Sequence, residues 1–335
     1  MLTFTIRRLL MAIPTLLFIS LVIFLLLELA PGDPVADMPL TIPPEVREKI
    51  RISLGLGEPM HTRYLLWLYN LFVTEPTYWI DSVFETDLAG GAQRIISFQT
   101  RSPVFETIAE RMPQTMLVVG MGYIVGIVIA VPIGIISAYR QYSIFDQIGT
   151  FVSMVGFSVP TFVTGVLLIV VFSVWLGWFP SIYDTTLEVD DWPSFWLQVR
   201  QMVMPVFVLA LYNAAQISRY MRAAMLDNMT QDYVRTARAK GMSEKVVLLK
   251  HVLRNSMIPV ITVIALGVPG VFTGAIITEN VFKVNGLGQQ LLLSIQGNDA
   301  PMVLTISFIF AILIVLFNLV ADVLYGLLDP RIRYD

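Results

Sequence analysis

The chain alternates between long apolar stretches and polar segments, and six of the apolar stretches are long enough to cross a membrane as helices. A helix needs roughly 20 mostly apolar residues to span about 30 Å of hydrocarbon, where only the helix itself can satisfy its backbone groups. The third stretch is long enough to be tilted, and the fourth is the weakest. The six are Leu9–Leu29, Gln114–Ala138, Ile148–Trp178, Met202–Ile217 with some extension, Met257–Thr278 and Met302–Ala321. This pattern predicts an all-α integral membrane protein with about six transmembrane helices.

The first stretch could also be a cleaved signal peptide, because Arg7 and Arg8 precede it. Its apolar run of about 20 residues exceeds the roughly 7–15 residues of a signal peptide. The residues that follow, Ala30-Pro31-Gly32-Asp33-Pro34, form a poor cleavage site. We therefore expect a retained helix.

Prolines and small residues inside the stretches are typical of bundled membrane helices. Such bundles tolerate proline better than soluble helices do, and small residues let helix backbones approach one another. The prolines are 14, 132, 160, 205, 259 and 269, and the small residues are Gly122, Gly126, Ala130, Gly134, Gly267, Gly270 and Gly274. Kinked, closely packed helices are expected, although glycine is also simply common in membrane helices.

The distribution of Lys and Arg sets the expected orientation, because cytoplasmic loops are enriched in both. An N-in, C-in arrangement places 13 of the 22 basic residues on the inside. They are Arg7, Arg8, Arg140, Arg219, Arg222, Arg235, Arg238, Lys240, Lys245, Lys250, Arg254, Arg331 and Arg333. The outer segments hold most of the carboxylates, including Asp184, Glu188, Asp190 and Asp191.

The amino-acid composition argues against a soluble fold, metal catalysis and nucleic-acid binding. Of the 335 residues, 56% are hydrophobic and 14% are charged, and the mean hydropathy is +0.72, whereas a soluble domain carries about 25% charged residues. There is no cysteine and only His61 and His251 supply imidazole, so metal catalysis is not expected. The net charge of −3 gives no case for nucleic-acid binding.

The outer segment, residues 31–103, is too large to be a turn. Residues Glu45–Ile50 predict one amphipathic helix, and Tyr64–Tyr69 predict a second whose aromatic side chains suit the headgroup region. The segment could receive an external partner or merely cap the bundle, and the residues leave both possibilities open.

The inner segment 227–256 predicts two short helices that meet at a glycine, which we call the elbow. Asp227 or Asn228 could cap a helix that runs to Lys240, Gly241 sits where a helix end favours a left-handed residue, and Ser243 could cap the next helix. In that next helix an apolar face is expected from Val246, Leu249 and Leu253, beside Lys245, Lys250 and Arg254. From the residues alone, this basic surface could bind anionic lipids or a protein partner.

The outer turn Glu279–Pro301 contains Gly286-Leu287-Gly288, but no strand precedes it and no GxxxxGK[ST] motif occurs in the chain. Turn formation is the expected role, and an energy source must come from a partner or a gradient. Gradient-driven carriers usually hold ionisable groups near the midplane, whereas here Glu28, Glu279 and Asp322 lie near helix ends. The more deeply placed polar residues are Asn213, Gln216 and Asn318. A carrier or channel without an ATPase remains the alternative, and a membrane enzyme lacks a buried His/Asp or Ser/His set.

The elbow sequence from Asp232 to Gly241, followed by Pro259, resembles the coupling motif of permease subunits of bacterial ABC importers, and more narrowly of the oligopeptide/dipeptide/nickel permease family. The similarity covers nearly the whole chain. Further matching segments are Arg7–Leu10, Ala30–Pro34, Leu54–Leu56, Arg63-Tyr64, Trp67-Leu68, Pro103-Val104, Arg111–Thr115, Ser158–Phe162, Arg219–Arg222, Glu279–Phe282, Gly286–Gly288 and Asp329–Arg331.

The resemblance implies a type I ABC importer permease fold without catalysis in this chain. Its implied partners are a second homologous permease in a heterodimer, two cytoplasmic ATPase subunits that use ATP and Mg²⁺, a periplasmic binding protein and membrane lipid, with no nucleic acid. The implied coupling residues are Tyr233, Arg235, Ala237, Arg238, Gly241 and Pro259. The implied organisation is an N-terminal helix (1–30), a periplasmic segment (31–103), a core permease domain (104–328) and a cytoplasmic tail (329–335).

The chain departs from the general importer motif at the elbow and in the outer segment. Arg235 and Thr236 stand where the general motif has Glu-Ala, and Arg254 replaces a frequent proline, as is usual in the peptide subgroup. Thr74–Thr100 is longer than the corresponding stretch of the subgroup. The substrate is expected to be a peptide, with nickel, opine-like compounds and oligosaccharides as alternatives within the family.

Overall fold

A computed structural model describes residues 2–29, 56–273 and 275–328, together with residues 45, 48 and 52. The Ala30–Pro34 motif, most of the predicted helix Glu45–Ile50, Gly274 and the tail 329–335 with Arg331 and Arg333 lie outside the described residues. In these ranges the regular structure is helical, and the β contact is an isolated bridge between Ile96 and Pro103. The predicted all-α class is confirmed.

The helices follow in two groups along the chain. The first group is α1 (Leu2–Leu29), α2 (Met60–Tyr69), α3 (Glu75–Phe84), α4 (Val104–Tyr139), α5 (Ile144–Ser158) and α6 (Thr161–Leu168). The second group is α7 (Trp192–Met229), α8 (Asp232–Ala239), α9 (Glu244–Val246), α10 (Leu253–Thr273), α11 (Ile276–Phe282), α12 (Leu287–Gln296) and α13 (Ala300–Leu328). Wider π-helical turns occupy Asn70–Thr74, Ile169–Trp175 and Val247–Val252. The predicted second outer helix, Tyr64–Tyr69, is confirmed within α2.

Five helical segments in the described chain are long and apolar enough to cross a membrane, namely Thr5–Leu29, Val104–Tyr139, Trp192–Met229, Glu244–Val271 and Ala300–Val323. A sixth crossing requires Ile144–Ser158 and Thr161–Trp175 together, and these bend by 103° at their junction. The predicted single tilted helix over Ile148–Trp178 is therefore wrong. Proline disfavours the helical conformation in the preceding residue, and Val159 before Pro160 is extended at φ −81° and ψ 125°.

The described residues form two compact units, of which the first contains Gln114–Gln289. In this unit, small residues of α4 let it pack directly on α7. A Cβ added at Gly122 would lie 2.6 Å from the Cβ of Leu209, and one at Gly134 would lie 2.5 Å from the Cβ of Met221. Gly126 faces α7 in the same way and Ala130 is fully buried. The predicted close packing through these small residues is confirmed.

An ion pair joins α5 to α7 in the same unit. Arg222 donates from Nε to Asp146 Oδ1 over 2.7 Å and from Nη2 to Asp146 Oδ2 over 2.8 Å. The Asp146 carboxylate is buried and also accepts the backbone N–H of Tyr142 at 2.9 Å. This pair holds the start of α5 against the last third of α7.

The second unit contains Leu10–Pro113 and Gln290–Ile312, and buried carboxylates organise its outer segment. Glu75 accepts hydrogen bonds from Arg94 Nη2 at 2.9 Å and from the backbone N–H of Ile95 at 3.1 Å. Asp299, fully buried, accepts the hydroxyl of Ser97 and the backbone N–H of Phe98. Glu75, near the start of the stretch Thr74–Thr100, and Asp299 thus both hold the last part of this stretch in place.

Candidate functional site

The elbow begins where the long helix α7 ends at Met229 and the short helix α8 starts at Asp232. Gln231 is the N-cap of α8 and makes no side-chain capping bond. The predicted cap by Asp227 or Asn228 is therefore wrong, because α7 continues through both residues. Asn228 instead donates its amide to the carbonyl of Ala224 at 2.8 Å, within α7.

Gly241 forms the bend as predicted. Its φ is +75°, in the left-handed region that glycine adopts without steric cost. The N–H of Gly241 donates to the carbonyl of Arg238 at 2.9 Å, and the N–H of Met242 reaches back to Ala237 at 3.4 Å. These two bonds are the Schellman arrangement that satisfies the last carbonyls of a helix. The chain therefore reverses sharply after α8 and leads into α9.

An ion pair between Arg238 and Glu244, which we call the clamp, bridges the two sides of this bend. Arg238, in α8, donates from Nη2 to Glu244 Oε1 over 2.6 Å and from Nε to Glu244 Oε2 over 3.2 Å. The hydrogen bond to Glu244 raises the pKa of Arg238 above its ordinary value, so the guanidinium stays charged. Both side chains are about two-fifths exposed, which limits the pair's contribution to stability to at most about 1 kcal/mol. Its main consequence is the orientation of α8 relative to α9.

The two faces of α8 differ sharply. Val234 and Ala237 are buried in a core cluster that also contains Met221 and Met225 of α7. Away from this cluster, the Arg235 side chain is 74% exposed and pairs with Asp232 at 3.4 Å. Tyr233 is also exposed, and its hydroxyl donates to Asn228 Oδ1 at 2.6 Å. The elbow therefore anchors itself through small apolar residues and presents aromatic and basic ones outward.

The second half of the elbow differs from the prediction. Ser243 is the N-cap of α9 as expected, but through its backbone and without a side-chain capping bond. Of the predicted apolar face, Leu253 packs against the core cluster, but Val246 and Leu249 are exposed, and Val247 and Val252 are fully buried in their place. The π-helical turn Val247–Val252 has more than 3.6 residues per turn and rotates the side chains relative to an α-helix. Lys245, Lys250 and Arg254 are exposed around it.

Of the six predicted coupling residues, five lie together in the elbow, and Pro259 does not. Pro259 is exposed inside α10, seven residues beyond the π-helical turn. The exit from the elbow is instead fastened by Ser256, whose hydroxyl donates to the carbonyl of Ala224 in α7 at 3.1 Å. Ser256 is fully buried, so this bond joins α10 to α7 in the protein interior.

The outer turn is organised around one buried carboxylate. Glu279, in α11, accepts the hydroxyl of Thr115 at 3.0 Å and the backbone N–H of Gln289 at 2.9 Å. A Cβ added at Gly286 would come within 2.6 Å of this carboxylate, and one at Gly288 within 2.8 Å. Because these two glycines have no side chain, the Glu279 carboxylate can lie at the start of α12. The start of a helix is where an anion binds most favourably. The expected turn role is confirmed, and an internal carboxylate occupies the place of a phosphate.

Three side-chain roles that complete these sites were not predicted from the sequence. Glu244 carries the clamp, Asn228 holds Tyr233, and Thr115 holds Glu279. An opposite charge on each side of a glycine bend was the available signal for Glu244. Thr115 and Glu279 are far apart in the chain, and no local pattern pairs them. Among the described residues, no three His, Cys, Asp or Glu side chains are grouped so as to hold a metal ion.

Two family models match this chain, one in its N-terminal part and one in its C-terminal part. The family model described as "Binding-protein-dependent transport system inner membrane component" matches residues 130–334, and its N-terminal counterpart matches residues 1–119. The oligopeptide transport system permease protein AppB of Bacillus subtilis is 38% identical over 100% of both chains. The glutathione transport system permease protein GsiC of Escherichia coli is 36% identical, again over 100% of both chains.

Among solved structures, a chain of the inward-facing MetNI methionine ABC transporter matches with a TM-score of 0.54. It is 17% identical, and the match covers 68% of this chain and 99% of that one. The fold is therefore that of this ABC transporter chain. The family match and the several membrane-spanning helices make this chain a multi-pass protein of the bacterial inner membrane. The chain belongs to the family of binding-protein-dependent transport system inner membrane components. The expected family, fold and permease role are confirmed.

Proposed function

We propose that this permease subunit imports peptides, and that the elbow 227–256 transmits the ATPase cycle to the membrane helices. Two cytoplasmic ATPase subunits, which use ATP and Mg²⁺, would drive it, and a periplasmic binding protein would deliver the substrate. A second, non-identical permease would complete the pathway. The peptide assignment is supported by relatives named as oligopeptide and peptide transport permeases. This chain would contribute no catalytic residue.

The observation that carries the coupling proposal is the division of α8 into an anchored and a free face. Val234 and Ala237 are packed against α7, so a force on α8 acts on a membrane-spanning helix. Outside the anchored face, α8 offers a partner the Arg235 guanidinium and, on the opposite flank, the Tyr233 ring. The Gly241 bend and the Arg238–Glu244 pair keep α8 from swinging on its own.

The experiment should therefore change the free face and leave the packing intact. Ala237→Trp would disrupt the core cluster, and Gly241→Pro would need a φ near −65° where the chain has +75°. Arg235→Glu removes no buried contact and reverses the charge offered to a partner. Arg140→Glu, an exposed residue of the inner loop between α4 and α5, is the matched control.

We expect Arg235→Glu to reduce both the amount of ATPase that co-purifies with the chain and ATP-dependent peptide uptake in proteoliposomes, while Arg140→Glu changes neither. Normal assembly and uptake in Arg235→Glu would contradict the coupling role of this face. Uptake that continues in ATP-depleted proteoliposomes would contradict the importer mechanism itself and favour a gradient-driven carrier.

A further inference from the structure

The helical run from α2 through the π-helical turn to α3 exposes one continuous apolar face. Its large side chains are 42–61% exposed, and we call this face the outer stripe: Leu65, Leu66, Tyr69, Phe72 and Val73. Between Tyr64 and Ile80 the sequence contains one charged residue, Glu75, which is buried. The outer stripe therefore carries no charge.

The opposite face of the same run packs on α1 and α13 within the second unit. The Trp67 indole N–H donates to the hydroxyl of Thr305 at 3.3 Å, and its ring meets Phe308 edge-on at 5.4 Å. The Tyr64 hydroxyl lies 2.8 Å from the hydroxyl of Ser20, and its ring centroid lies 5.2 Å from that of Phe24. Phe72 of the stripe also meets the Phe308 ring edge-on at 6.0 Å, yet its side chain remains 54% exposed. The stripe is thus the side of an ordered, packed helix that the described residues of its unit leave largely exposed.

These contacts place the run near the outer surface of the membrane that the chain spans. With 28 residues, α1 is about 42 Å long and exceeds the hydrocarbon thickness by about 12 Å, or roughly 6 Å at each end. Phe24 lies about 8 Å and Ser20 about 14 Å before the outer end of α1 at Leu29. Phe308 lies about 12 Å beyond the start of α13. The partners of the run therefore lie about 2–8 Å inside the edge of the hydrocarbon.

Several polar side chains of the run form their bonds away from the stripe, which itself contains one polar group, the hydroxyl of Tyr69. Thr74 donates its hydroxyl to Asn70 Oδ1 at 3.1 Å, and Glu75 is paired with Arg94. At the start of the run, Arg63 Nη1 lies 2.8 Å from Glu28 Oε1 of α1. A mostly apolar surface beside internally paired polar groups suits hydrocarbon, since an unpaired polar group there costs several kcal/mol. The Tyr69 hydroxyl suits the headgroup region, where tyrosine is enriched.

We propose that the outer stripe faces lipid, and that the run lies flat at the boundary between the headgroups and the acyl chains of the outer leaflet. The exposed side chains of α1, including Phe18, Leu21 and Leu25, form the lipid-facing surface that the stripe continues. Trp79, 68% exposed on α3, sits where the run leaves the hydrocarbon, a depth at which tryptophan is enriched. The outer segment is thus partly a membrane element, and this proposal is independent of how the elbow works.

Because the chain has no cysteine, single cysteines can be introduced at chosen sites without removing any. Leu66→Cys and Phe72→Cys report on the stripe, Phe18→Cys on α1 is the lipid reference, and Asp87→Cys, exposed after α3, is the water reference. Each variant carries a nitroxide spin label in the full chain, isolated with the subunits that co-purify and reconstituted in phosphatidylethanolamine/phosphatidylglycerol liposomes. The relaxation of the label is measured with oxygen, which concentrates in lipid, and with a water-soluble nickel chelate.

We expect both stripe labels to resemble Phe18→Cys, with an oxygen-to-nickel accessibility ratio several-fold above that of Asp87→Cys. A ratio equal to that of Asp87→Cys would mean that the stripe faces water, and would overturn the proposal. Low accessibility to both reagents would mean that protein covers the stripe, and would overturn it as well.

Discussion

The hydroxyl of Thr115 in α4 lies 3.0 Å from Oε1 of Glu279 in α11, and the same hydroxyl accepts the backbone N–H of Leu287 at 2.8 Å. The start of the second membrane crossing meets two neighbouring segments at this point, the outer helix α11 and the glycine turn before α12, which are distant from it in the chain. Glu279 is 1% exposed, so its carboxylate interacts with protein groups rather than with bulk water. The bonds of Thr115 therefore hold α4, α11 and the start of α12 together within the first unit.

Glu279→Gln should destabilise the protein by about 1–3 kcal/mol, because its NH₂ group replaces an acceptor oxygen where Thr115 and Gln289 offer donors. Thermal unfolding in detergent, followed by size-exclusion chromatography, measures the effect. Glu188→Gln, an exposed carboxylate of the outer loop, is the control for loss of charge alone. Equal unfolding temperatures for the two variants would contradict the role of Glu279.

A comparison of the wild type with Glu279→Gln at several pH values tests the titration of Glu279. Burial raises the pKa of this carboxyl above its ordinary 4.5, although its hydrogen bonds to Gln289 and Thr115 oppose the shift. A raised folded-state pKa adds stability that is complete below the unfolded pKa and is lost as the pH rises through the folded one. We therefore expect the advantage of the wild type over Glu279→Gln to shrink as the pH rises above 4.5. An advantage that grows with pH would show that hydrogen bonding to the ionised form outweighs burial.

Gly134→Ala should destabilise the crossing of α4 and α7. The added Cβ would lie 2.5 Å from Met221 Cβ and 2.8 Å from the carbonyl oxygen of Ser218, and the helix backbones would have to separate. Overpacking of this kind costs about 1–3 kcal/mol. Gly270→Ala is the matched control, since a Cβ there meets no atom within 4 Å. The close crossing would be refuted if both variants unfolded at the same temperature.

At Gly241 the cost of substitution should come from the backbone alone, because its φ is +75° and a Cβ there meets no atom within 4 Å. The left-handed conformation costs an ordinary residue about 1–2 kcal/mol and asparagine less. We expect peptide uptake to fall in the order glycine, asparagine, alanine, valine. If the valine variant transported as well as the asparagine variant, the left-handed bend would not be required.

The clamp between Arg238 and Glu244 can be tested by exchanging the charges. Arg238→Glu places two carboxylates at the bend, and we expect uptake to fall more than thermal stability, since an exposed pair contributes at most about 1 kcal/mol. Adding Glu244→Arg should restore uptake if the pair serves to hold the bend. Failure of the double variant to recover would mean that Arg238 itself contacts the ATPase subunit.

Some features were predictable because their causes are local. The hydrophobic stretches identified the membrane-spanning helices, since each helix must satisfy its own backbone groups in lipid. Gly241 was identified as a bend because the left-handed conformation depends on the residue itself. The break at Val159–Pro160 also has a local cause, yet it was missed, because proline is tolerated inside other helices of this chain, such as Pro205 in α7.

Other features depend on parts of the chain that only folding brings together. The π-helical turn Val247–Val252 places Val247 and Val252 in the core, whereas an α-helical period favoured Val246 and Leu249. The outer segment left two roles open until Trp67 was seen packed on Phe308, which assigned a depth to its helices.

The sequence by itself determined that the chain is a helical membrane protein with a basic elbow on its inner side, because hydropathy, charge and glycine placement act over a few residues. Only the tertiary structure decided that Glu279 meets Thr115, that α8 is anchored by Val234 and Ala237, and that the described residues of its unit leave the outer stripe largely exposed. Those outcomes depend on distances between side chains far apart in sequence. Such distances are set by the packing of whole helices against one another.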